Sequence, residues 1–177
     1  GFWTFWWTGI WIRTHSFAGM DRISTDIEGW ELREVFSESL EYQELLRLRF
    51  NELRKPLGLE WTEAEGEADK LDRHFGLYHE EVLVGSVVVA TLKSGFAKLR
   101  QIAVARPQQG RGVGIRLMAA IENLLAREGV QRFELNARVD VAGFYDSLNY
   151  HRKGGVFEEI GLPHVKMIKL LRGNESA

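Results

Sequence analysis

Leu99 to Met118 reads LRQIAVARPQQGRGVGIRLM, and no other stretch constrains the chain as much. A short apolar run of strand type ends at Arg106-Pro107, glycines follow at 110, 112 and 114, and an amphipathic helix then begins. A strand that turns through glycines straight into a helix aims backbone N–H groups and the positive end of the helix dipole at one point. That construction grips a phosphate or pyrophosphate. A ligand-free capping turn is the alternative, although three glycines in five residues cost backbone entropy that a cap does not require.

The rest of the composition narrows the class. With 177 residues the chain is long enough for one domain with a full core. A formal charge of −2 supplies no basic field to gather nucleic acid, and none is expected as a partner. The absence of cysteine removes disulfides, thiolate metal sites and any acyl-cysteine intermediate; no metal is expected, and a cytoplasmic setting fits. No apolar run approaches the ~20 residues that span a bilayer, so a membrane is not an expected partner. Residues 1–19 differ from the remainder: four of the six tryptophans fall in the first 11 positions. They are expected to be upstream translation or a tag before Met20, with an interfacial anchor as the alternative. Residues 20–177 then form the single domain, loosely ordered to Ile27.

Along the chain, Trp30–Phe36 reads as a strand, and Ser39 to Leu53 as a helix stopped by Pro56 and Gly58. Glu60 to Asp72 is acidic and poorly periodic, suited to a short helix and a loop. Its charge could attract a cationic amine or simply form a solvated face. Arg47, Arg49 and Arg54 could position an acidic group of a substrate or pair with these carboxylates. Strands are expected at Phe75–His79, Val82–Leu92, Ala97–Val104 and Gln131–Ala137. The β-branched run VLVGSVVVA marks a strand buried on both faces. The glycine turn opens a helix that buries Leu117, Ile121, Leu124 and Leu125, and a short helix covers Ala142–Leu148. Two last strands surround Val156-Phe157 and Val165–Leu171. The order is that of a mixed α/β (α+β) domain with antiparallel hairpins and one crossover.

Three kinds of phosphate loop compete for Gln109 to Gly114. A nucleotide P-loop would end in Gly-Lys-Ser/Thr, and a dinucleotide fingerprint would need a glycine where Ile115 stands. The third kind matches throughout: Gln-x-x-Gly-x-Gly between a strand ending Ala-Val and an amphipathic helix resembles the acetyl-CoA pyrophosphate loop of the GNAT N-acetyltransferase superfamily. GFYDSLNY, from Gly143 to Tyr150, is similar to that family's Phe-Tyr helix ending in Leu-Gly-Phe/Tyr. LRKPLGL at Leu53 and the terminal GLPHVKM at Gly161 are similar to a subgroup of small bacterial members. The resemblance covers about Trp30 to Leu171. Two positions depart from it: Asn149 replaces the usual glycine, mildly because Asn tolerates left-handed backbone, and Arg138 stands where many relatives carry an Asn that helps hold CoA.

The resemblance implies a centrally splayed sheet of six to seven strands flanked by about four helices. It implies acetyl-CoA as co-substrate and a primary amine of a small molecule or peptide as acceptor. The pantetheine arm would lie between the splayed fourth and fifth strands, on the backbone of Ile102, Ala103 and Val104. Gln109, Gly110, Arg111, Gly112, Val113, Gly114 and Ile115 would face the pyrophosphate, with glycine at 110, 112 and 114 allowing close approach. Arg138 would reach a phosphate or a substrate carboxylate. Tyr145 would protonate the departing CoA thiolate; a core tyrosine with a satisfied hydroxyl is the alternative. An alkylamine near pKa 10 is about 0.1% neutral at pH 7, so its proton needs an acceptor. Glu159, beside Glu158 after the penultimate strand, and His164, at the start of the last, are candidates, as is water alone; His74 and His79 fit ordinary strand ends. A non-catalytic acyl-CoA-binding regulatory protein is the competing function. Oligomeric state stays open, homodimers being common in similar proteins.

Overall fold

The computed structural model describes residues 29–171. The expectations for residues 1–19, and most of those up to Ile27, lie outside them. The described chain runs β1 (Trp30–Val35), α1 (Leu40–Arg49), α2 (Glu63–Asp69), β2 (Arg73–His79), β3 (Val82–Lys93), β4 (Phe96–Val104), α3 (Val113–Arg127), β5 (Arg132–Arg138), α4 (Ala142–Ser147), β6 (His151–Glu159) and β7 (Leu162–Leu170). One seven-stranded sheet takes the order β1-β2-β3-β4-β5-β7-β6. Each pairing is antiparallel except β4 with β5, which the α3 crossover makes parallel.

The core grows from β3. Val84, Val87, Val88 and Val89 are all buried, as their unbroken β-branched run predicts for a strand covered on both faces. On one face α3 lays down Leu117, Ile121, Leu124 and Leu125, each contributing roughly 1.5–3 kcal/mol through burial. On the other, α1 packs Tyr42 and Leu45 against Val35 and Leu83. A Cβ on Gly76 would come within 2.8 Å of Tyr78 and 3.0 Å of Leu83, with Leu45 at 3.4 Å, so this strand position needs glycine for packing.

The first helix departs from its expected course. Ser39 caps it by accepting the Tyr42 N–H at 3.2 Å, but α-helical winding ends at Arg49. Phe50–Arg54 then widens into a π turn and Lys55–Leu57 tightens into a 3-10 turn, closed by Gly58 at φ +66°. Inserted π turns re-aim side chains, often beside functional sites. The one formed here points Glu52 at the glycine turn.

The C-terminal strands also differ. β6 extends over His151–Glu159, so Glu158 and Glu159 end this strand rather than follow it. Only Phe157 in it is even half-buried, which is why no alternation of apolar residues announces its length. His164 is the third residue of β7, not its first. Asn149 sits at φ +68°, the left-handed conformation that replacing a glycine requires.

Candidate active site

Strands β4 and β5 pair only at Phe96–Arg132, Ala97–Phe133 and Lys98–Glu134. Beyond Lys98 they diverge, and the β4 backbone from Leu99 to Val104 keeps its β5-facing edge unpaired. The divergence coincides with a bulge. Val88 pairs with Arg100 and Ser86 with Ala103, so β4 carries one residue more than β3 there. Gln101 lies in this bulge at φ +49°, a conformation that costs an L-residue about 1–2 kcal/mol. Ile102, Ala103 and Val104 thus line the open wedge, as the resemblance implies.

The glycine turn stands at the mouth of the wedge. Gly110 and Gly112 adopt φ +75° and +77°, and a Cβ on either would meet no atom within 4 Å. Their glycine requirement is one of backbone conformation. Gly114 is different: a Cβ would approach the Phe144 ring to 3.1 Å, so this glycine lets α4 pack on the first turn of α3. Packing against Phe144 is thus a reason for glycine at 114 beside the close approach that the resemblance implies. Gly112 is the N-cap of α3 and no side chain caps it, leaving the first-turn amides of Val113, Gly114 and Ile115 to an anion. Arg111 and Ile115 are exposed, whereas Val113 is buried. Gln109 corrects an expectation. Its N–H bonds the Arg106 carbonyl, and its side chain donates to the Val104 carbonyl at 3.0 Å and to Glu52 at 3.1 Å. Gln109 closes the turn, and its own amide is spent.

Tyr145 projects from α4 and is buried to 8% exposure. Its ring packs edge-on against Phe144 and Tyr150. No partner holds its hydroxyl among the described residues. Burial pushes this phenol well above its ordinary pKa, so it remains protonated at neutral pH. Tyr150 shows what a satisfied core tyrosine looks like here: its hydroxyl donates to Glu122 at 3.2 Å, and Lys169 pairs with the same carboxylate.

Two polar clusters flank the wedge. On the sheet face away from α3, His164 from β7 meets Glu159 from β6, Nε2 to Oε2 at 3.5 Å. The ring's Nδ1 lies 2.9 Å from the Leu162 carbonyl, which fixes the proton there and leaves Nε2 facing the carboxylate. Phe157 stacks on the ring. Asn136 of β5 donates to Glu159 at 3.4 Å, while its buried Oδ1 has no hydrogen-bond partner among the described residues. Arg138 stands opposite His164 and is gripped by Asp140 at 2.6 and 3.1 Å. The β6–β7 turn, with Ile160 at φ +48° and Gly161 at +74°, closes this side.

The second cluster was not foreseen. Arg49, 1% exposed, clasps Asp69 through Nη2–Oδ1 at 2.6 Å and Nη1–Oδ2 at 3.0 Å. The Tyr42 hydroxyl donates to Asp69 at 2.6 Å. His74 Nε2 donates to the Asp69 carbonyl at 2.7 Å, with Nδ1 turned to Arg49 at 3.4 Å. Burial favours a neutral Asp69, but Arg49 and the Tyr42 hydroxyl prevail and hold its pKa below the usual range. Burial lowers the pKa of His74 against the pull of Asp69 and keeps it neutral. Arg54 pairs with Glu65 of the Thr62 capping box, whose carboxylate is held down to about 2 by the Thr62 amide, then Arg54 and the Thr62 hydroxyl. Arg49 and Arg54 thus follow the expectation that they pair with nearby carboxylates.

A family model described as "Acetyltransferase (GNAT) domain" matches residues 55–171. The chain belongs to the GNAT acetyltransferase family. Among curated relatives, the uncharacterized N-acetyltransferase YjcF of Bacillus subtilis (strain 168) is 34% identical over 110 residues, covering 60% of this chain and 78% of YjcF. An acyl-CoA N-acyltransferase from Pseudomonas aeruginosa superposes with a TM-score of 0.66 at 19% identity, over 79% of this chain and 97% of its own. A GNAT family acetyltransferase from Elizabethkingia anophelis with acetyl-CoA bound gives a TM-score of 0.62 at 12% identity, over 82% of this chain and all of its own. Family membership assigns the chain to acyl-CoA-dependent acyl transfer. Among the described residues no group of His, Asp and Glu could hold a metal, and no helix is long and apolar enough to cross a membrane.

Proposed function

We propose that this protein is an acetyl-CoA-dependent N-acetyltransferase that moves an acetyl group to a primary amine of a small molecule or peptide. The observation that carries it is the wedge: an unpaired β4 edge leading to an uncapped helix N-terminus, a length of backbone donors and acceptors suited to pantetheine amides and a pyrophosphate. Ile102 to Val104 pair with the arm, and the amides of Gly110 to Ile115 receive the pyrophosphate. Arg138, paired with Asp140 and opposite His164, is assigned to the acceptor side.

The amine nitrogen attacks the thioester carbonyl directly, since the chain has no cysteine to carry an acyl group. A C–N bond forms and the C–S bond breaks; the thiolate takes the proton of Tyr145, and the second proton that the nitrogen sheds in becoming an amide restores the phenol. The ammonium must first lose a proton. His164 Nε2 faces Glu159 Oε2 at 3.5 Å, and a proton between them completes a hydrogen bond. The pair therefore takes the proton that the amine gives up.

Incubation with acetyl-CoA and a panel of amines and peptides, following free thiol, tests the reading. Thiol release that depends on one amine class is expected. Acetyl-CoA binding without release for any amine would replace it with the regulatory acyl-CoA-binding protein.

A further inference from the structure

Arg49 makes one bond that an ion-pair anchor does not need. Asp69 already engages both terminal nitrogens of the guanidinium, and Trp61 covers it with its ring centre 5.2 Å away. The remaining donor, Nε, reaches out of α1 to Gln101 Oε1 at 2.9 Å. Gln101 is the left-handed residue of the β4 bulge, immediately before Ile102. A strained backbone persists only where its surroundings over-determine it, and here the side chain of the strained residue is held by a buried, immobilised cation.

We propose that Arg49 is a positioning residue for acyl transfer. Through Gln101 it props the β4 bulge open and thereby sets the direction of the Ile102–Val104 backbone. The inference rests on the functional reading above, in which that backbone holds the acyl-CoA arm. It also joins the two sides of the site: the strut runs from Asp69 at the end of α2, through Arg49 at the end of α1, to the strand edge where the thioester lies. Removing Arg49 itself leaves Asp69 buried and unpaired, so the strut is best cut from its other end.

Replacing Gln101 by Ala and by Gly separates propping from every simpler role. Both lose the bond to Arg49. Ala is strained at φ +49° and Gly is not, so only Ala lets the bulge relax. Gln101→Ala is expected to weaken acetyl-CoA binding by calorimetry about tenfold, the size of the strain released, and to shift the Ile102 amide resonance. Gln101→Gly stays within about threefold of the wild-type affinity, with Ile102 near its original shift, and Gln101→Glu, which keeps an acceptor for Nε, behaves like wild type. Equal losses in Ala and Gly overturn the proposal in favour of direct ligand contact by the glutamine. Unchanged affinity in both, with lowered thermal stability, overturns it in favour of a stability bond alone. If the wild-type protein does not bind acetyl-CoA, the functional reading falls, whereas the Ile102 shift in Ala and its return in Gly still decide whether the strut holds the bulge.

Discussion

The two polar clusters beside the wedge use nearly the same residues to opposite ends. Around Asp69 the charged and imidazole groups are matched: the carboxylate takes a two-pronged guanidinium and a phenol, and both nitrogens of His74 have partners. Around Glu159 the matching fails. His164 Nε2 faces a carboxylate, and the buried Asn136 oxygen has no hydrogen-bond partner among the described residues. A histidine–carboxylate pair is therefore no sign of chemistry by itself. A sealed, satisfied pair is scaffold, and a pair whose carboxylate is exposed is where a donor from outside can be received.

This contrast can be broken in four ways. The largest effect belongs to the sealed side: Asp69→Ala strands a buried guanidinium and should cost about 3–5 kcal/mol in urea unfolding. Tyr145→Phe should lower turnover about 100-fold, some 2.7 kcal/mol of barrier, with acetyl-CoA affinity by calorimetry kept; unchanged turnover would return Tyr145 to the core. Glu159→Gln should reduce turnover about tenfold while moving stability by no more than about 0.5 kcal/mol. If it loses stability and not turnover, the open cluster is scaffold as well. The smallest effect is expected at the β6–β7 turn, where Asn accepts the positive φ that strains Ile160: Ile160→Asn should raise the urea midpoint by about 0.5–1 kcal/mol of stability.

Acidity sharpens the same comparison. Folded His74 binds its proton less readily than the unfolded chain, whose histidine titrates near 6.5. Below about pH 6.5 the unfolded state therefore holds more protons, and stability must fall as pH falls, by at most about 1.4 kcal/mol per unit for this residue. Above 6.5 the contribution is flat. The depressed carboxyl of Asp69 adds a second loss further into acid, as pH drops through the range below 3.8. Urea midpoints from pH 8 to 2 check both, and Asp69→Asn should abolish the lower step.

What was legible in the sequence tracks what burial writes into it. The doubly covered β3 and the α3 stripe announce themselves through unbroken or periodic apolar residues, and the glycine turn through φ. Arg49 and Asp69 were not legible as a pair, since single charges in polar helices look the same whether buried or solvated. Thr62 and Glu65, three apart, did carry a capping-box signal that marks the start of α2. Residues 151–155 hid their strand because neither face of β6 is covered. The bulge at Gln101 left no mark, because the cause of its conformation lies 52 positions away in Arg49.

Gly114 has a consequence beyond its own turn. A Cβ on Gly114 would come within 3.1 Å of the Phe144 ring, so the helix proposed to receive the pyrophosphate and the helix that carries the phenol pack in close contact. In the proposed function, that contact sets the span from phosphate to sulfur, and a larger residue at 114 would lengthen it.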